Sequence, residues 1–234
     1  MTRRRWLADE VSGNRAALTG EHARHLSEVL RARVGQEFDI STGTEVRHAR
    51  VSSILPDRVE FDLHEIITPA PDFPITVAIS IFKFDRMEWA IEKSTELGVS
   101  RMVPIIAART ASHLATAAAK RVERWKRIAQ QAAEQSRRLS PPEIADPIKC
   151  KELLAMTSNA RIVLSEMEDR LMLKDALPRN ASSLLLAFGP EGGWKVDELA
   201  AFCENGWTSA SLGSTILRAE TAVIAALAVV NAMV

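Results

Sequence analysis

Two glycine-bearing turns late in the chain carry the residue types that can enclose a ligand and act on it. The first is Gly189, Pro190, Glu191, Gly192 and Gly193, placed directly after an apolar run that contains Leu186 and ends at Phe188. The second begins at Leu212 and Gly213, passes Ile216 and Leu217, and reaches Arg218, Glu220 and Thr221 before an almost uncharged final stretch. Pro190 fixes one dihedral, while Gly192 and Gly193 permit positive φ and leave no side chain in a ligand's way. Two such turns, each after a short apolar stretch, read as two walls of one site.

Exposed backbone donors and acceptors in the first turn suit an adenine edge or ribose hydroxyls. Glu191 is poorly suited to a phosphate, but a carboxylate is tolerable beside the sulfonium and amine of S-adenosylmethionine. A tight strand-to-helix turn explains the same residues in purely architectural terms. In the second segment, Glu220 and Thr221 fall in a first helical turn, where they can satisfy free backbone donors. Arg218 then either pairs with Glu191 or faces a substrate phosphate or a negative charge developing on a base. These roles are compatible. A glycine-rich dinucleotide turn, a Walker motif, a zinc-type histidine pair and a serine nucleophile elbow are all missing from the sequence.

Such turns need a framework of strands and helices to aim them. Residues 1–70 read as a small, mostly β domain with one early helix capped by Thr19 and running toward Leu30. The alternation of Val59, Phe61 and Leu63 marks a half-buried strand. The proline-rich stretch 68–74 is a stiff linker, and residues 71–234 form the second domain. There the pattern alternates between strand and helix. Strands fall at 75–82, 99–106, 161–165 and 183–188, with helices at 85–97, 117–138, 196–204 and 218–234. Helical crossovers between strands imply a largely parallel sheet, hence an α/β fold.

Composition narrows the class. In 234 residues, 47% hydrophobic and 26% charged content describes a soluble globular protein with a substantial core. No signal-peptide core is present and no apolar run is long enough to span a bilayer, so a cytoplasmic protein without a membrane partner is expected. Cys150 and Cys203 are too few for a metal cluster or a disulfide framework, so no metal is expected. Net charge is zero overall but uneven: −2 over residues 1–72, +6 over 73–138 and −4 over 139–234. The basic middle third suits a polyanion.

The segments 25–31 (HLSEVLR), 93–99 (KSTELGV) with Pro104, 134–137 (EQSR) with Pro141, 189–193 (GPEGG) and 212–222 (LGSTILRAETA) together span nearly the whole chain. In this order they strongly resemble the bacterial 16S ribosomal RNA uracil-N3 methyltransferases, a branch of the knotted SPOUT methyltransferases. The resemblance implies a small amino-terminal PUA-like β-barrel for RNA, followed by a trefoil-knotted α/β methyltransferase domain with a mostly parallel sheet. It implies S-adenosylmethionine as cofactor, held by Leu186, Phe188, Gly189, Glu191, Gly192, Gly193, Leu212, Gly213, Ile216, Leu217, Glu220 and Thr221. It further implies a homodimer built partly by the final helix, where Ala222, Ala225, Ala226, Ala228, Val229 and Ala232 permit close packing. The family pattern often has lysine-glycine where this chain has Lys83 and Phe84. It often has arginine-serine after Pro104, where Arg109 and Thr110 stand.

The implied reaction moves a methyl group to uracil N3, which must lose its imide proton. Arg218 is the expected catalytic helper, stabilising charge on the base. The target nitrogen is hidden in a duplex, so the uridine must be unpaired or flipped. The partner is 16S ribosomal RNA within the 30S subunit or a late assembly particle. Candidate RNA contacts are Arg3, Arg4, Arg5, His22, His25, Arg31, Lys83, Arg86, Arg109, Arg137 and Arg138. Trp6 and Trp89 read as core residues rather than base-stacking platforms. A ribose 2′-O RNA methyltransferase and a non-catalytic RNA-binding assembly factor are the competing readings.

Overall fold

A computed structural model describes residues 5–67, 73–136 and 138–234. The chain divides into two compact units, Met1–Pro71 with Ala133–Pro141, and Asp72–Ala132 with Pro142–Val234.

The first unit contains β1 (Arg5–Leu7), β2 (Glu10–Ser12), β3 (Arg15–Thr19), α1 (Gly20–Arg24), β4 (Glu37–Ser41), β5 (Val46–Leu55) and β6 (Arg58–Ile67). Their sheet runs in the order β1-β4-β5-β6-β3-β2. Its two outer strands are consecutive pieces of one segment, separated only by Ala8 and Asp9. Ala8 N–H donates to Ser41 O at 2.9 Å on one side, and Asp9 N–H to Ala17 O at 3.0 Å on the other. The sheet therefore closes on itself through that bend and forms a barrel. Leu18, Leu26, Phe38, Ile40, Val51, Val59 and Phe61 fill it, with the β6 alternation as expected.

The early helix differs from expectation. Thr19 occupies the N-cap position but makes no side-chain cap. Its own N–H is bound instead by Asp9 Oδ2 at 2.7 Å, which fixes the chain entering α1. Beyond Arg24 the helix widens into a π turn, His25–Val29, and ends near Arg31, whose φ is 52°.

The second unit contains β7 (Ile75–Ser80), α2 (Phe84–Glu96), β8 (Arg101–Ile106), α3 (Ser112–Ala118), α4 (Val122–Gln135, whose last residues from Ala133 count with the first unit), β9 (Glu143–Ile144), β10 (Ile148–Lys149), α5 (Cys150–Leu154), β11 (Ala160–Leu164), α6 (Leu173–Ala176), β12 (Leu184–Phe188), α7 (Val196–Glu204), β13 (Thr208–Ala210) and α8 (Ala219–Asn231). All pairings in its sheet are parallel, in the order β10-β8-β7-β12-β11-β13, with β9 also on β8. The α/β class expected from the alternating pattern is the one found.

Apolar side chains fill both faces of this sheet. Val77, Ile79, Ile162 and Leu186 pack on one side with α2 and α8, and Ala78, Val103, Val163 and Leu185 on the other with Trp194 and Phe202. The helix expected over 117–138 is broken by a 3-10 turn at Ala119–Arg121. No glycine or proline marks the break, and the buried set Ala118, Val122, Trp125 and Ala129 keeps helical spacing across it. Trp89 departs from its expected core position and is 45% exposed on α2, whereas Trp125 and Trp194 are buried. Among the described residues, no helix is long and apolar enough to cross a membrane.

Candidate functional site

β12, β11 and β13 lie side by side, and their register aligns Phe188 with Leu164 and Leu164 with Ala210. The three loops that follow therefore leave the sheet at one level and on one edge. A crevice at the carboxyl ends of parallel strands is where open α/β sheets bind ligands. Here it is a cavity of about 470 Å³, lined by all three loops.

The loop after β12 is held open by specific contacts. Gly193 N–H donates to Pro190 O at 2.8 Å, and Gly193 adopts φ +69°, which favours glycine. Trp194 turns back under the loop and donates Nε1–H to Leu164 O at 3.0 Å. A Cβ on Gly189 would stand 3.1 Å from that indole nitrogen, so the close approach needs glycine. Arg109 braces the outside, donating Nη1–H to Gly192 O at 2.5 Å and Trp194 O at 3.3 Å.

The loop after β13 is folded by Ser211, whose Oγ accepts from Gly213 N–H and donates to Gly213 O, both at 3.2 Å. Its far end presents Ile216, 86% exposed, with Leu217 beside it on the cavity lining. Arg218 is the N-cap residue of α8, exposed, and lines the same cavity. Leu164, Phe188 and Leu212 supply the apolar floor.

The loop after β11 is the wall that the sequence reading missed. Ser165 and Glu166 both line the cavity. Ser165 N–H is tied to Ala210 O at 3.0 Å, and Ser165 Oγ accepts Met167 N–H at 3.1 Å. Glu168 accepts the N–H groups of Arg170 and Leu171, which hold its carboxyl below the usual range, the Arg170 bond most strongly. No glycine or signature motif announces this loop. The available signal was its position at the end of the apolar strand read at 161–165.

Of the twelve residues expected to hold a cofactor, Phe188, Gly189, Glu191, Gly192, Gly193, Leu212, Gly213, Ile216 and Leu217 line the cavity. Leu186, Glu220 and Thr221 do not. Leu186 sits inside β12 with no exposed surface, and Thr221 is exposed on α8 away from the lining. Glu220 is buried at 6% exposure; its Oε2 has no hydrogen-bond partner, and its Oε1 stands 3.7 Å from Arg86 Nε.

The expected pairing of Glu191 with Arg218 is not the one formed. Arg86 holds Glu191, at 3.1 Å. Arg86 and Arg109, both expected at RNA, thus stand against the glycine loop. His22 is held between Asp9 at 2.9 Å and Glu134 at 3.3 Å. Hydrogen bonding to Glu134 above all, with burial opposing, raises its pKa to about 9. His25 and Arg31 are exposed, His25 lying 5.8 Å from the half-buried Trp6 ring. Lys83 is exposed, while Arg5 and Arg138 are half-buried. Arg3, Arg4 and Arg137 lie outside the described residues.

These residues suit S-adenosylmethionine. Glycine backbone, exposed apolar side chains at 216 and 217, and two carboxylates meet in a cavity large enough for a nucleoside with an amino-acid tail. Residues 68–231 match the family described as the RNA methyltransferase domain. A ribosomal RNA small subunit methyltransferase E of Bacillus subtilis (strain 168) is 33% identical over 229 residues, covering 92% of this chain and 89% of its own. The protein of that name from Mycobacterium bovis is 31% identical over 234 residues, covering 95% and 88%. Among solved structures, a ribosomal RNA small subunit methyltransferase E from Neisseria gonorrhoeae, bound to S-adenosyl methionine, superimposes with a TM-score of 0.87. It is 31% identical and covers 99% of this chain and 98% of its own.

Proposed function

Because the chain belongs to the RNA methyltransferase domain family, we propose that it transfers the methyl group of S-adenosylmethionine to N3 of a uridine in 16S ribosomal RNA. The observation that carries this reading is the three-walled cavity at the ends of β11, β12 and β13, in a chain that superimposes over nearly its full length on a relative bound to the same donor.

S-adenosylmethionine supplies an electrophilic methyl carbon on its sulfonium. The chain's own groups do the rest. Phe188, Leu212, Ile216 and Leu217 offer apolar contact to a nucleoside, and the Gly189–Gly193 backbone offers donors and acceptors without side-chain obstruction. Arg218 stands on the lining with no ion pair among the described residues. As the imide proton leaves, negative charge spreads over N3 and the two carbonyl oxygens, and a guanidinium there favours that charge. Positioning supplies much of the remaining acceleration.

The substrate in this reading is a 30S subunit or late assembly particle, which puts the enzyme in the cytoplasm. It works as a homodimer in which α8 contributes to the interface. Ala228 and Ala232 are exposed on α8 or just beyond it and remain available for that role, whereas Ala226 is already buried against the chain's own core. The test is incubation with labelled donor and unmodified small subunits, followed by mass mapping of the RNA. The expected product is a base-methylated uridine that leaves local alkaline cleavage intact. A ribose-methylated product, resistant to alkali, sinks the N3 assignment. RNA binding without donor binding sinks the enzyme reading altogether.

A further inference from the structure

Four charged side chains line the cavity: Arg86, Glu166, Glu191 and Arg218. Two of them neutralise each other, since Arg86 and Glu191 pair at 3.1 Å with Glu220 on the guanidinium's other side at 3.7 Å. Glu166 is different. Among the described residues it has no hydrogen bond and no ion pair.

Its carboxylate is nevertheless placed. A Cβ on Gly193 would overlap Glu166 Oε1 and stand 3.1 Å from its carboxyl carbon, so the acid rests directly against the glycine backbone. Gly193 is required by its positive φ, and a side chain there would also push the acid aside. The backbone on either side is fixed. Ser165 is bound to Ala210 O at 3.0 Å, and Met167 N–H is bound to Ser165 Oγ at 3.1 Å. Glu166 is exposed to the cavity and makes no ion pair among the described residues, so its charge is left to act on a bound cation.

We propose that Glu166 makes the cofactor site selective by charge, favouring the sulfonium donor over the neutral thioether product. The inference rests on the assignment of S-adenosylmethionine to this cavity. The donor carries one positive charge more than S-adenosylhomocysteine and otherwise shares its nucleoside and amino-acid groups. A group that senses only the sulfonium therefore separates the two molecules at the moment the methyl leaves. Glu191 cannot do this, because Arg86 already answers its charge. Glu166 is a specificity residue in this role; it takes no proton and forms no bond.

The test is calorimetric binding of both molecules to the full chain and to its E166Q and E166D variants, with thermal melting to verify folding. Wild type should prefer the donor. E166Q should weaken donor binding about fivefold while changing product binding less than twofold, the size expected of a partly exposed charge pair. E166D, which keeps the charge, should retain most of the preference, and added salt should narrow the gap in wild type and E166D but not in E166Q. Equal loss for both ligands in E166Q would mean that Glu166 holds their shared ribose or amino-acid part, and the proposal fails. Unchanged binding of both also overturns it. A wild-type protein that binds neither ligand refutes the cofactor assignment itself, an outcome distinct from lost discrimination.

Discussion

Arg86 Nη1 donates to Glu191 Oε1 at 3.1 Å, joining residues 105 positions apart in the chain. The same guanidinium stands 3.7 Å from Glu220 in the first turn of α8. One side chain from the start of α2 therefore links the glycine turn after β12 to the helix that follows the loop after β13. Both Arg86 and Glu191 are partly exposed, so the pair adds little to global stability, on the order of 1 kcal/mol or less. Its effect is on where the loop sits.

Replacing Arg86 with glutamine should therefore barely change thermal stability but weaken S-adenosylmethionine binding several-fold, with RNA affinity preserved. Calorimetry with the cofactor and filter binding with RNA separate the two possibilities. Lost RNA affinity with unchanged cofactor affinity would return Arg86 to the RNA footprint.

Gly193→Val should abolish tight cofactor binding while leaving the circular dichroism spectrum intact. Forcing a β-branched residue to φ +69° is unfavourable by about 1–2 kcal/mol or more. The overlap with Glu166 adds to that. A Gly193→Ala, Glu166→Ala double variant should lose less than the sum of its two single variants, because the overlap is absent once the acid is shortened. Strictly additive losses would show that the two residues do not touch in solution.

Arg218→Ala should slow methyl transfer roughly tenfold, about 1.4 kcal/mol in the barrier, with cofactor affinity changed little. Single-turnover methylation of small subunits measures the chemical step directly. A normal rate removes Arg218 from the chemistry.

His22 predicts a pH dependence. Glu134 and Asp9 raise its pKa from 6.5 to about 9 in the folded chain. The charged imidazole therefore stabilises the fold fully below pH 6.5, and that contribution disappears as pH rises through about 9. Denaturant melts across this window should show a loss of stability in wild type that is missing in His22→Gln. Nuclear magnetic resonance titration of the imidazole gives the sharper measurement, and a midpoint near 6.5 would contradict the clasp.

The two glycine turns were legible because their demand on the backbone is local: a residue without a side chain is required wherever φ is positive or another group comes close. Ser165 and Glu166 were not legible as site residues, since nothing in their own segment is unusual. They become part of the cavity only through the parallel register that sets Leu164 between Phe188 and Ala210. Arg86 and Arg109 were read as RNA contacts because a basic side chain in the chain's basic third looks the same whether it meets phosphate, carboxylate or a carbonyl. The short strands β1, β2, β3 and β13 carry too few apolar positions to show a period, and pairing with distant partners makes them strands. The break at Ala119–Arg121 escaped for the opposite reason, because the apolar spacing continues through it.

The bend at Ala8 and Asp9 has a consequence for solution behaviour. One short segment occupies both rims of the amino-terminal sheet, covering β4 on one side and β3 on the other with strands of only three residues each. Deleting residues 5–12 uncovers β3 and β4 together, giving each copy two adhesive borders. Such a truncation should polymerise, as light scattering would reveal, even where its methyltransferase unit remains folded.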